Sequence, residues 1–91
     1  MSNEILGGWT TYSNEISAEA KKAFDTALNG LTGVNYTPLS VASQVVTGTN
    51  YSFFCNAQGV YPNAANNGAI VSIFSPLNGT AHITNISVVP H

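Results

Sequence analysis

Apolar residues recur at three- and four-residue spacing over residues 13–31, at Ile16, Ala20, Ala23, Phe24, Ala27, Leu28 and Leu31. That spacing predicts one helix with a single stripe to bury. Ser13 stands where an N-cap is expected, Glu15 in the positive first turn, and Asn29-Gly30 at the stop. From Val34 onward the periodicity changes. Residues 34–46, 49–58, 69–76 and 80–89 are rich in Val, Ile, Thr, Tyr and Phe and are bounded by Gly, Asn or Pro, which predicts sequential strands.

Short connections between those runs imply an antiparallel meander, to which residues 9–12 would add a first strand. Tyr51, Phe53, Cys55 and Ala57 share one parity and form the expected buried face. In the preceding strand Val34 and Tyr36 have one parity, Leu39 and Val41 the other. Pro38 lies between them, so a bulge is expected there. Residues 59–68, with Pro62, Asn63, Asn66 and Asn67, read as a loop. The predicted fold class is α+β: a single helix packed across a curved antiparallel β-sheet.

Ninety-one residues with 44% hydrophobic content make one domain with one core, spanning residues 1–91. No run is apolar enough for a membrane span, and residues 1–6 lack the basic and apolar regions of a signal peptide. The lone cysteine, Cys55, has no partner for an internal disulfide, which suits a reducing, cytoplasmic setting.

All six acidic and basic side chains, Glu4, Glu15, Glu19, Lys21, Lys22 and Asp25, fall in the first 25 residues. Two lysines and no arginine leave no basic patch for phosphates, so nucleic acid is excluded as a partner. Any partner is expected to be met by shape, apolar contact and neutral hydrogen bonds, with little dependence on salt. A neutral β-rich surface also invites self-association.

Three segments carry candidate contacts. The first is Ile5-Leu6-Gly7-Gly8-Trp9, where paired glycines let an extended backbone approach another protein closely. The second is Gln44-Val45-Val46-Thr47-Gly48-Thr49-Asn50-Tyr51, a short turn between two strands that reads Gln-x-Val-x-Gly. The third is Pro76-Leu77-Asn78-Gly79-Thr80, in which Asn-Gly between alternating runs signals a tight hairpin with positive φ at both central residues.

The Gln44 to Tyr51 string resembles the first binding loop of the cystatin superfamily, and its stefin branch in particular. The glycine pair, the following helix and the second hairpin come in the order that family uses. The resemblance implies a cystatin fold and reversible, tight-binding inhibition of papain-like (cathepsin-type) cysteine proteases. Ile5, Leu6, Gly7 and Gly8 would occupy the non-primed subsites. Gln44, Val45, Val46, Thr47 and Gly48 would press on the rim of the cleft, with Leu77 and Asn78 as the second loop. Stefins carry Leu-Pro at that tip, and this chain has Leu77-Asn78. Occlusion needs no bond cleavage, no catalytic residue and no cofactor.

Two other readings stand beside inhibition. A Cys55 nucleophile paired with His82 or His91 would make an enzyme, but the parity of Cys55 predicts a buried thiol. One thiol and two separated histidines give no metal spacing. The second reading is a cystatin-fold interaction domain without a protease target. A monomer is expected, with strand exchange through the first hairpin as the route to a domain-swapped dimer. Asn35, Asn50, Asn78 and Asn85 each head an Asn-x-Ser/Thr triplet, and glycans on Asn50 or Asn78 would crowd the contact segments.

Overall fold

The computed structural model describes residues 7–89. One helix, α1 (Ala18–Ala27), packs on an open antiparallel sheet of four strands in sequential order: β1 (Val34–Val46), β2 (Gly48–Gly59), β3 (Asn66–Ser75) and β4 (His82–Val89). This is the α+β arrangement the periodicity predicts. Residues 9–12 do not join it as a regular strand. The segment touches the sheet through two isolated antiparallel bridges, Trp9 to Gln44 and Ser13 to Val41.

That pairing shortens the helix. The apolar spacing predicts helix over 13–31, yet Ser13 exchanges both backbone hydrogen bonds with Val41, each 2.9 Å, and so is committed to an extended conformation. The helix therefore starts after Ser17, whose hydroxyl accepts from the Ala20 N–H at 3.1 Å. Glu19, not Glu15, occupies the first turn. At the other end the Leu28 N–H bonds the Phe24 carbonyl at 3.0 Å, and Gly30, at φ 85°, turns the chain away as predicted. Ile16 and Leu28 still pack on the core from outside the helix, whereas Leu31 is exposed.

The core lies between Ala20, Ala23 and Phe24 on α1 and Val41, Phe53, Cys55, Val71, Ile73 and Ala81 below them. Alanines on the helix let it approach the sheet closely. The Phe24 ring meets the Phe53 ring edge-on, with centroids 4.9 Å apart. Phe53, Cys55 and Ala57 are buried on one parity of β2, as predicted, with Tyr51 half-buried on the same side.

The expected bulge is present. Pro38 faces Cys55 and Ser40 faces Phe54, so Leu39 is the extra residue that reverses the parity of β1. A second bulge at Thr84 interrupts β4, where Ser72 faces Asn85 and Ile73 faces Ile83. The predicted 59–68 loop is shorter, because Asn66 and Asn67 already pair with Gln58 and Ala57.

A ten-residue helix is about 15 Å long, against a longest molecular dimension of 43 Å. It covers only part of the sheet. None of the helices among the described residues is long and apolar enough to cross a membrane. Phe53 is fully buried where helix and sheet meet. Phe53→Ala is therefore expected to cost about 3–5 kcal/mol of stability, read as a lowered urea midpoint with the m-value retained.

Candidate functional site

The turn between β1 and β2 is tight. Val46 pairs with Gly48, leaving Thr47 alone and exposed at the tip. Gly48 has φ 106°, a conformation that a side chain resists. It is also buried: a Cβ there would lie 2.6 Å from the Ser75 carbonyl oxygen and 3.0 Å from the Phe74 ring. Gly48 thus lets the first turn sit directly on the end of β3. Because Ser75 ends β3, the connector to β4 begins beside the first turn.

That connector, residues 76–81, is not the two-residue hairpin expected from Asn-Gly. Six residues separate β3 from β4, and neither Asn78 nor Gly79 has positive φ. The correction has two physical causes. Pro76 has no N–H with which to extend the β3 ladder, and the bulge at Thr84 shifts the β4 register near this end. Leu77 is 74% exposed at the connector, and Asn78 and Gly79 are exposed beside it. Gly48, Pro76, Leu77, Gly79 and Ala81 line one side of an open groove of about 470 Å³, with the helix on the other.

The arm reaches the same end of the sheet. Gly7, at φ 79°, donates its N–H to the Val45 carbonyl at 2.8 Å. Gly8 follows, half-buried, and Ile5 and Leu6 lie outside the described residues. Gln44 joins arm to hairpin. Its Nε2 donates to the Gly7 carbonyl at 2.9 Å, and its Oε1 accepts from Asn50 Nδ2 at 2.9 Å. Val45 and Val46 remain half-buried beside it. The arm therefore adjoins the first turn on one side, and the 76–81 connector adjoins it on the other.

Asn50 is the residue the sequence reading missed as a partner for Gln44. Both stand three positions from Thr47, one on each strand, so counting outward from the turn identifies the pair.

No acidic or basic side chain follows Asp25, so the turn and the connector carry none, while the helix side of the groove contributes Glu19 and Lys22. The His82 ring lies 5.9 Å from the Phe74 ring and beside the Thr80 carbonyl. The Lys21–Asp25 pair, 3.7 Å apart, is solvent-exposed on the helix.

The cysteine faces elsewhere. Cys55 is wholly buried, its Sγ donates weakly to the Phe53 carbonyl at 3.7 Å, and burial pushes its thiol up from 9.0 to about 12. Cys55 pairs with Ala69, five residues along β3 from Phe74, which pairs with His82. At about 3.4 Å per residue that is roughly 17 Å. His91 lies outside the described residues. Among the described residues no three His, Cys, Asp or Glu side chains gather as metal ligands.

No family model, curated protein or solved structure matches this chain.

Two predictions rest on this geometry. Gly48→Ala forces a side chain into positive φ and against the Ser75 carbonyl, so a loss of at least about 2–3 kcal/mol is expected in chemical denaturation. Gln44→Ala removes the link between Gly7 and Asn50. It should cost about 1–2 kcal/mol and raise hydrogen exchange at the Gly7 amide, with exchange in β3 little changed.

The cysteine supplies a pH test. The unfolded thiol ionises near 9.0 while the folded one holds its proton to about 12. The folded state then binds more protons between those values, so the Cys55 contribution to stability is constant below about pH 9 and falls as pH rises above it. The Cys55→Ser variant, measured alongside, should lose most of that alkaline slope. Alkylation of native Cys55 at neutral pH should be slow until denaturant is added.

Proposed function

We propose that this chain is a cystatin-like, reversible, tight-binding inhibitor of papain-like cysteine proteases. What supports the reading is convergence. The glycine arm bonds Val45, the Val46-Thr47-Gly48 turn packs on Ser75, and the 76–81 connector starts from that same residue. The arm and the connector flank the turn on either side, and none of the described residues of these three segments is acidic or basic.

The mechanism follows from what the edge presents. Gly7 and Gly8 let the arm lie flat along the non-primed side, with Ile5 and Leu6 filling pockets. Thr47 and the backbone around it press on the rim of the catalytic cleft, and Leu77 adds an exposed apolar contact. None of these groups is a nucleophile or an acid, so the protease is blocked by occlusion and no bond is made or broken. Gln44 and Asn50 act behind the edge, holding the arm to the hairpin before the protease arrives. Such pre-organisation lowers the entropy lost on binding.

A cytoplasmic setting suits this function. The Asn50 side-chain nitrogen, which a glycan would occupy, is engaged by Gln44. The second reading, a cystatin-fold interaction domain with another partner, is favoured by one feature: the Leu77-Asn78 tip sits on a wide connector in place of a tight hairpin.

The test is a titration of active-site-counted papain with purified monomer, beside Thr47→Arg and a form lacking residues 1–6. Gly48 is unsuitable for substitution because it is packed against β3. Thr47 is exposed, so its variant keeps the fold. One-to-one reversible inhibition is expected, weakened at least about tenfold by Thr47→Arg. The truncation should weaken it by roughly ten- to a few hundredfold, mostly through faster dissociation. A confirmed monomer that leaves papain and cathepsins active would transfer the assignment to the second reading.

A further inference from the structure

The face of the sheet opposite the helix holds a second candidate site. Trp9 bridges to Gln44, and paired residues share a face, so its ring lies on this side. Tyr12 joins it there, its hydroxyl hydrogen-bonded to Ser52. Ala42 faces Ser52 and Ser52 faces Ser72, giving one row across β1, β2 and β3. Trp9, Thr10, Tyr12, Ala42, Ser52 and Ser72 together line an open cup of about 250 Å³.

We propose that this cup binds one pyranose ring of a neutral oligosaccharide. Two of its lining residues are aromatic and about half exposed (Trp9 51%, Tyr12 49%), and a third, Ala42, is small and buried (3%). A pyranose presents an apolar C–H face to such rings and hydroxyls around its rim to the serines. Both aromatic residues are held in advance, Tyr12 by Ser52 and the backbone beside Trp9 by the Thr10 N–H to the Ser43 carbonyl at 2.8 Å. Ser72 makes no side-chain hydrogen bond among the described residues, which leaves its hydroxyl for the ligand.

Charge selects the ligand class. None of the six lining side chains is ionisable near neutral pH, so a phosphate, carboxylate or amine would be desolvated without a counter-charge. An apolar side chain of a protein partner would strand the Ser72 hydroxyl. Volume limits the rest: the cup falls below the usual range for drug-sized ligands, about 300–1,000 Å³, and suits a single ring. An open, single-ring site is expected to bind with Kd in roughly the millimolar range.

Trp9 is the chain's sole tryptophan, so its fluorescence reports on the cup directly. Native protein is titrated with hexaoses of α-1,4-glucose, β-1,4-glucose, mannose and N-acetylglucosamine, with oligogalacturonate as the charged comparison. A saturable change in Trp9 emission is expected with at least one neutral sugar, and none with oligogalacturonate. Tyr12→Ser and Ser72→Leu should each weaken it at least fivefold, and Ser72→Leu, outside residues 7–13, should leave protease titration unaffected. The proposal is overturned if no neutral hexaose gives saturation by tens of millimolar, or if the charged sugar binds as well. A response that persists unchanged in both folded variants also overturns it. Should a variant unfold, amide-shift mapping of native protein decides, because perturbations must centre on Thr10, Ala42, Ser52 and Ser72.

Discussion

The structure depends on one glycine in one conformation. Gly48 turns β1 into β2 with a single residue at the tip, and its positive φ and missing Cβ let Ser75 and Phe74 come up against it. The register of the β1–β2 ladder runs outward from that turn, from Val46 facing Gly48 to Val34 facing Gly59. A one-residue slip would send Phe53 and Cys55 to the outer face and Phe54 inward. The same close approach fixes where β3 ends, and hence where the connector to β4 begins. Core and candidate edge are set by a single constraint.

Around that turn, backbone pairing and side-chain amides do different work. The ladder holds β1 to β2, whereas the arm has only scattered bonds to β1 and would fray without additional support. Gln44 supplies it by spanning from the Gly7 carbonyl to Asn50 on the neighbouring strand. An amide suits this position because it donates at one end and accepts at the other, which a carboxylate or an ammonium cannot do at neutral pH. The Gln of the Gln-x-Val-x-Gly string thus has a structural task, and the outward-facing part of the string is Thr47.

Much of this was legible in the sequence. Parity alone placed Phe53 and Cys55 inward, and the parity conflict called for a bulge near Pro38, which the structure puts at Leu39. The helix limits were not legible, because apolar spacing records which residues meet the core and not which of them are helical. Ile16 packs on the core from a non-helical segment, since Ser13 is held by Val41 across a gap of 28 positions that local pattern does not reveal. The second turn failed for a similar reason. Asn78-Gly79 is a strong local signal, but the neighbouring Pro76 and the shifted register of β4 override it. In the candidate site the glycines and Thr47 could be read from local rules, whereas the Asn50 link and the Tyr12–Ser52 pairing needed the tertiary structure.

The absence of charge after Asp25 shapes what either surface can do. With few charges to steer it, association with either proposed partner would proceed near the unassisted rate of about 10⁵–10⁶ M⁻¹s⁻¹, and selectivity would come from how long a fitted partner stays. Residence then depends on how firmly the contacting segments are held before binding. Residues 7–13 are common to both surfaces: Gly7 anchors the arm at Val45, while Trp9 and Tyr12 line the cup on the helix-free face. Loosening the strip at Gln44 would therefore be felt at both. The Ser13–Val41 bonds limit how far such loosening spreads, since they lock the strip's other end beside the core and leave the helix start undisturbed.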